Sequence, residues 1–239
     1  LFQILLLITA LTTYYSAVGF LSENIKRKQI KNMFNQYVPP AYIEKLIHST
    51  NGKELKTERR EMSVLFADIR DFTTLSEQFT PEQLSDFLNE YLTEATGIIF
   101  DNKGTIDKYV GDMIMAFWNA PLEDSDHHLN AVVSAMHLIT LTQKLTATFE
   151  ERSWPAIKLG IGVSTGEMVV GDMGSSYRKA YTVIGDAVNL GSRIESLTKF
   201  YGVDILISYN TYEVISTQGI VCRKIDKIKV KGKNLAVEI

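Results

Sequence analysis

Residues 62–71 read MSVLFADIRD, and this stretch sets the pattern from which the fold can be predicted. The apolar run Val64–Ala67 predicts a short buried strand, which ends at the carboxylate of Asp68. Further strands and amphipathic helices follow along the chain. The predicted strands are 105–110, 113–118, 157–163, 168–170, 181–184, 204–207 and 235–239, and the predicted helices begin at Pro81, Ser125 and Ala187. Strands mixed with helices indicate an α/β (α+β) domain, in which helices pack on one sheet.

The first long helix has a clear start signal in Thr80-Pro81-Glu82-Gln83. Thr80 is expected to cap the helix, Pro81 suits the first turn, and Gln83 completes a capping box. An apolar stripe follows at helical spacing and predicts the buried face: Leu84, Phe87, Leu88, Tyr91, Leu92 and Ala95. Asp186 is expected to cap the helix that begins at Ala187 in the same way.

Composition limits the possible classes of protein. The chain has 239 residues, 45% hydrophobic and 22% charged, which suits one globular domain with a short additional segment and excludes disorder. A net charge of −3 implies no general affinity for nucleic acid. The single cysteine, Cys222, excludes an internal disulfide and a cysteine metal cluster. The pair His127-His128 lacks a partner at zinc spacing, so both histidines are expected at the surface.

Residues 1–22 contain no charged side chain, and a helix of ~20 such residues spans a bilayer. The basic residues Lys26, Arg27 and Lys28 follow, which predicts that the C-terminal side is cytoplasmic. We therefore expect a transmembrane helix at 1–22, the last span of a longer protein. A buried core helix or a signal peptide are the alternatives. Residues 23–56 are expected to form a cytoplasmic linker that relays motion from the membrane.

Two aspartates are candidates for a metal site. Asp68 ends the first predicted strand, and Asp112 lies in the tight turn between the strands 105–110 and 113–118. Carboxylates at a strand end and a neighbouring turn can meet on one edge of a sheet. Mg²⁺ beside a triphosphate is usually held by such a small set of oxygen ligands. For either aspartate alone, the cap of a turn is the better explanation; only the two together favour a metal site.

A second group of candidates lies in the segment 182–193, TVIGDAVNLGSR. Asn189 and Arg193 are four residues apart and share one helical face. A guanidinium next to an amide donor suits a phosphate or an oxyanion, although a solvated helix face explains the pair as well. Lys231, beside Gly232, is a plausible phosphate contact or a solvated basic turn. The sequence has no Walker-type phosphate loop, and Gly160-Ile161-Gly162 is too short for a dinucleotide fingerprint.

Four segments together resemble the class III nucleotidyl cyclase family. They occur in the family's order: FADIRDFTTLSE, GTIDKYVGDMIMAFW, YTVIGDAVNLGSRIE and KVKGK. The resemblance covers residues 57–239 and implies a ferredoxin-like catalytic domain with a mixed, mostly antiparallel sheet. Segment 34–46, which begins with FNQYVPP, resembles the linker that precedes many bacterial cyclase domains.

The resemblance assigns a role to each candidate residue. Asp68 and Asp112 match the metal-binding aspartates, with the backbone carbonyl of Ile69 as a further ligand for two divalent cations, Mg²⁺ or Mn²⁺. The other matches are the purine-reading pair Lys108 and Thr182, the transition-state residues Asn189 and Arg193, and the phosphate-binding Lys231. Lysine at the purine position suits adenine, whereas the threonine hydroxyl can donate or accept and so weakens selectivity against GTP.

The implied activity is that of a membrane-anchored, receptor-type adenylate cyclase, which converts ATP to 3′,5′-cyclic AMP and pyrophosphate. The ribose 3′-hydroxyl attacks the α-phosphate in line, and a homodimer shares two active sites between its subunits. The implied location is the cell membrane, with the catalytic domain in the cytoplasm. A guanylyl cyclase and a catalytically silent nucleotide-binding or dimerisation module are the alternatives. A diguanylate cyclase is disfavoured because its characteristic Gly-Gly-Asp/Glu-Glu-Phe turn is replaced by Val110-Gly111-Asp112-Met113.

Overall fold

The computed structural model describes residues 57–228 and 236–239, together with positions 3, 11, 14, 15, 18–20 and 22. The chain divides into two compact units, residues 1–44 and 45–239. The described positions before residue 23 are helical and exposed, and the rest of the predicted span at 1–22 lies outside the described residues, as does the predicted linker at 23–56. Within the described part of the chain, no helix combines the length and the apolar character that crossing a membrane requires.

The second unit contains a six-stranded sheet and its packed helices. The strands are β1 (Glu58–Ile69), β2 (Thr105–Val110), β3 (Met113–Trp118), β4 (Leu159–Gly174), β5 (Lys179–Ile184) and β6 (Ile205–Ile207). The helices are α1 (Phe72–Ser76), α2 (Pro81–Asp101), α3 (His127–Glu150), α4 (Asp186–Tyr201) and α5 (Tyr209–Ile215), and a 3₁₀ turn follows at Ser216–Gln218. A separate two-stranded ribbon pairs β7 (Lys227–Ile228) with β8 (Val237–Glu238).

The sheet order is β2-β3-β1-β4-β5, with β6 paired to β4. All pairs are antiparallel except β4 with β6, so the predicted mixed, mostly antiparallel sheet is confirmed. The first four strands and the helices α2 and α3 follow the β-α-β-β-α-β order of ferredoxin-like folds. This topology puts β1 in the middle of the sheet, which explains why its apolar segment is fully buried.

Helices cover both faces of the sheet. One face carries Leu65, Ala67 and Ile69 of β1 and packs on α2 and α3 in the main core. The opposite face packs on α4, which approaches so closely that a Cβ at Gly162 would overlap the backbone of Gly191 and Glu195. Glycine at position 162 is therefore required for the helix to lie against the strand.

Several sequence predictions are confirmed and others are wrong. The capping box of α2 is present, with Thr80 N donating to Gln83 Oε1 at 3.0 Å and Gln83 N donating to Thr80 Oγ1 at 3.3 Å. The strands predicted at 157–163 and 168–170 are one strand, β4, because β1 pairs with β4 without a break from Leu159 to Val170. Asp186 is the first residue of α4 rather than its cap, which is Gly185.

Candidate active site

Asp68 and Asp112 meet at the end of β1. Asp68 pairs with Gly160 of β4, and Asp112 follows Gly111, whose φ of 64° forms the tight turn between β2 and β3. The backbone N–H of Ile69 donates to Asp112 Oδ2 at 2.9 Å, which fixes this carboxylate beside Asp68. The structure therefore brings together the two aspartates that the sequence predicts for the same edge.

Asp68 and Asp112 disfavour each other's ionisation. Burial raises the pKa of Asp112 to about 7, and the hydrogen bond and negative charge of Asp68 contribute in the same direction. Only the donated N–H groups of Ile69 and of Asp112 itself oppose this rise. Two carboxylates this close cannot both ionise without a compensating positive charge.

Two further groups, which the sequence did not reveal, lie at the same end of the sheet. Glu195 Oε1 lies 3.1 Å from the position that a Cβ on Gly160 would take, and Gly160 directly faces Asp68 across the strands. Burial and then the charge of Asp68 raise the pKa of Glu195 to about 7. The Tyr91 hydroxyl is fully buried and has no hydrogen-bond partner among the described residues, and Asp112 and Asp68 are its charged neighbours.

The residues present fit a divalent cation. Carboxylate oxygens are the ligands that Mg²⁺ prefers in proteins, and here those of Asp68 and Asp112 meet at one edge of the sheet. Helical spacing marked Tyr91 as a core residue, and the sequence analysis did not single out Glu195. Only the close approach of α4 to β4 places the Glu195 carboxyl group beside Asp68.

The second constellation joins β2 to β5. Thr182 Oγ1 donates to Asp107 Oδ2 at 2.6 Å, and Lys108 Nζ lies 3.4 Å from Asp107 Oδ1. The Asp107 side chain is 1% exposed, whereas that of Lys108 is 51% exposed. Burial raises the pKa of Asp107, and the hydrogen bond from Thr182 is the largest of the opposing influences. The structure thus brings Lys108 and Thr182 together through a carboxylate that links them.

Asp107 was missed because strand alternation places it on the face opposite Lys108. The register between β2 and β3 shifts between Ile106 and Lys108, so Asp107 is the extra residue of a β-bulge. Such a bulge re-aims a side chain. Strands β2 and β5 are far apart in the sheet order, yet the sheet curls enough for them to meet, and the rings of Phe117 and Tyr181 lie 6.0 Å apart nearby.

A family model described as the adenylate and guanylate cyclase catalytic domain matches residues 55–238. The chain belongs to this family. The cyclase domain accounts for the whole of the described sheet and for both constellations of polar residues.

Relatives and solved structures agree with this assignment. The chain is 38% identical over 226 residues to an adenylate cyclase of Anabaena cylindrica, covering 90% of this chain and 43% of that protein. It therefore spans less than half of that relative's length. The crystal structure of the adenylyl cyclase CyaB from P. aeruginosa matches with a TM-score of 0.72 and 36% identity, covering 77% of this chain and 94% of that one. The guanylyl cyclase Cya2 matches with a TM-score of 0.71 and 32% identity, covering 77% and 92% respectively.

Of the remaining predicted site residues, the structure describes Asn189 and Arg193 but not Lys231. Asn189 and Arg193 lie one turn apart on α4, with Asn189 exposed and Arg193 half-buried. Asn189 N donates to Gly185 O at 3.2 Å as part of the first helical turn. Lys231 lies in the segment 229–235, outside the described residues.

One more group of possible ligands lies elsewhere in the cyclase domain. Glu61, His127 and His128 offer ligand atoms within 4.8 Å of one another, at the end of β1 opposite Asp68. Both histidines are buried, so their predicted surface position is wrong. The Nδ1 atom of His127 lies 2.9 Å from Ser63 Oγ, and the Nε2 atom of His128 lies 3.3 Å from Glu61 Oε1. Their rings stack at 3.6 Å with an interplanar angle of 28°, so their in-plane lone pairs lie in two nearly parallel planes. Hydrogen bonding and stacking account for this cluster.

Proposed function

We propose that the chain is the catalytic part of an adenylate cyclase, a phosphorus–oxygen lyase that converts ATP to 3′,5′-cyclic AMP and pyrophosphate. The observation that carries the proposal is the meeting of the Asp68 and Asp112 carboxyl groups at the end of β1. Relatives named adenylate cyclase and the linked pair of Lys108 and Thr182 support ATP as the substrate.

Asp68, Asp112 and the backbone carbonyl of Ile69 would hold two divalent cations, Mg²⁺ or Mn²⁺. When bound, such cations supply positive charge beside the attacking hydroxyl and the triphosphate. The protein's own part is to hold these oxygens in place: Ile69 N–H fixes Asp112, and the β1–β4 ladder fixes the backbone of Asp68. Positioning and electrostatics of this kind supply most of the rate in phosphoryl transfer.

The remaining proposed roles concern the substrate. Lys108 and Thr182 recognise the purine, Asn189 orients the ribose, and Arg193 and Lys231 stabilise the negative charge that builds up on the phosphates. The ribose 3′-oxygen forms a bond to the α-phosphorus as the bond from that phosphorus to the departing pyrophosphate oxygen breaks. The products are the cyclic nucleotide and pyrophosphate, and the proton of the 3′-hydroxyl leaves with the pyrophosphate.

We propose further that the active unit is a homodimer with two shared sites. Asp68 and Asp112 of one subunit would act with Lys108, Thr182, Asn189, Arg193 and Lys231 of its partner. Asp68→Ala and Arg193→Ala chains should each be nearly inactive, whereas a mixture of the two should regain activity because one site in each mixed dimer is intact. Mixtures as inactive as either parent would exclude shared sites.

The proposed organisation is a transmembrane helix at 1–22, a cytoplasmic linker at 23–56 and the catalytic domain at 57–239. The uncharged stretch 1–22 and the basic residues after it support a place at the cell membrane with the catalytic domain in the cytoplasm. Fractionation of cells that express the chain, with and without residues 1–22, tests this. Full-length chain in the soluble fraction would contradict it.

The decisive assay measures cyclic AMP from ATP and cyclic GMP from GTP, each with Mg²⁺ and with Mn²⁺. The expected result is metal-dependent cyclic AMP production that Asp68→Ala abolishes. A guanylyl cyclase is the second candidate, favoured by the similarity to the guanylyl cyclase Cya2, and preferential cyclic GMP production would identify it. A folded chain that converts neither nucleotide would support a catalytically silent module.

A further inference from the structure

The hydrogen bond between Thr182 and Asp107 determines how the Thr182 hydroxyl can be used. At 2.6 Å, Thr182 Oγ1 donates to a carboxylate whose side chain is only 1% exposed. A hydroxyl has one proton to donate and two lone pairs that accept. Because the Thr182 proton is already donated in the hydrogen bond to Asp107, Thr182 Oγ1 can only accept a hydrogen bond from a ligand beside it.

Lys108, which contacts the other carboxylate oxygen of Asp107, is a hydrogen-bond donor. Its ammonium group has only donors, lies 3.4 Å from Asp107 Oδ1 and is 51% exposed, so it can still reach a ligand. One buried carboxylate therefore anchors an acceptor and a donor next to each other. The β-bulge at Asp107 is what lets a single residue of β2 reach both groups.

This order of acceptor and donor matches one purine edge and opposes the other. Adenine has an amino donor at position 6 and a ring-nitrogen acceptor at position 1, whereas guanine has an oxygen acceptor at position 6 and an N–H donor at position 1. An adenine edge would donate to Thr182 and accept from Lys108. A guanine edge would place acceptor against acceptor and donor against donor, so that neither Thr182 nor Lys108 could form a hydrogen bond with the base.

We propose that Asp107 is a positioning residue for purine selection, which makes the Thr182 hydroxyl a pure acceptor and so favours a 6-amino over a 6-oxo purine. The proposal rests on the proposed cyclase function. It changes the expectation from the sequence, where the threonine hydroxyl could serve either base. Selectivity depends on Asp107 as well as on the purine-reading pair.

Asp107→Asn tests the proposal with little change in shape. The new amide can donate to Thr182 Oγ1, which frees the hydroxyl proton for a 6-oxo group. The kcat/KM values should be measured for ATP, for inosine triphosphate, which has the 6-oxo group without the 2-amino group, and for GTP. The ratio of ATP to inosine triphosphate should fall by about tenfold or more, as expected for changing one hydrogen bond to a charged group.

Three comparisons make the test specific. Thr182→Ser should keep the wild-type ratio, and Thr182→Val should lower it, which tests the same hydrogen bond if Asp107→Asn fails to fold. Asp101→Asn, which alters an exposed carboxylate at the end of α2, should change nothing. Purine riboside triphosphate, with no group at position 6, should respond least to Asp107→Asn.

The outcomes separate this inference from the proposed function. A wild-type chain that cyclises no nucleotide would contradict the proposed function itself. An active wild type whose nucleotide ratio stays within about twofold in folded Asp107→Asn would overturn the role of Asp107 alone. An equal loss for all nucleotides would also overturn it, because a structural role affects every substrate alike.

Discussion

Replacing Asp112 by asparagine should make the metal-free protein more stable, and the gain should depend on pH. The folded state raises the pKa of Asp112 from 3.8 to about 7. A carboxyl group whose pKa is raised on folding favours the folded state below its ordinary pKa, and this contribution is lost as pH rises from about 4 to about 7. Asparagine avoids the loss because it does not ionise, and its Oδ1 can still accept the hydrogen bond from Ile69 N.

The size of the effect follows from the pKa. A rise from 3.8 to about 7 corresponds to about 4 kcal/mol. Local relaxation and the access of water to the folded site reduce this to about 2 kcal/mol. The free energy of unfolding of Asp112→Asn should therefore exceed that of the wild type by about 2 kcal/mol near pH 8, and by less than about 1 kcal/mol near pH 5.

Urea unfolding of the purified chain in the presence of a chelator measures this difference at both pH values. Asp101→Asn is the matched control, because its carboxyl group is exposed and far along α2 from the pair. Adding Mg²⁺ near pH 8 should stabilise the wild type but not Asp112→Asn. Equal stability of wild type and Asp112→Asn at both pH values would refute the repulsion between Asp68 and Asp112.

Three further predictions concern the same region. The affinity of the metal-free chain for Mn²⁺, measured by calorimetry, should fall as pH drops below about 7, because Asp112 and Glu195 then take up protons. An affinity independent of pH between about 6 and 8 would show that these two groups do not take part in binding Mn²⁺. Gly162→Ala should destabilise the fold by about 1–3 kcal/mol or more in urea unfolding, because the new Cβ would overlap the backbone of α4. The control, Gly97→Ala in α2, meets no atom within 4 Å and should be neutral or stabilising. Tyr91→Phe removes a buried hydroxyl that lacks a partner among the described residues, so the thermal midpoint of the metal-free chain should stay equal or rise; a fall equivalent to about 1 kcal/mol or more would show that the hydroxyl has a partner.

The order of strands and helices could be read from local patterns. The strands predicted at 105–110 and 113–118 match β2 and β3, and the capping box at Thr80 marks the start of α2. The polar residues 164–167, Ser-Thr-Gly-Glu, hid the fact that the two predicted strands are one strand, β4. Short elements after β6 were missed, because α5 is stabilised by tertiary packing rather than by a strong local signal.

The sequence by itself determined the class of the domain, the candidate aspartates, and the presence of Lys108 and Thr182, because these depend on residue type and on spacing along the chain. Only the tertiary structure decided that Asp107 joins Lys108 to Thr182 and that Glu195 lies beside Asp68. Both contacts link residues far apart in sequence. They arise from a bulge, from the curl of the sheet, and from a helix that lies directly on glycine, and none of these leaves a periodic signal in the chain.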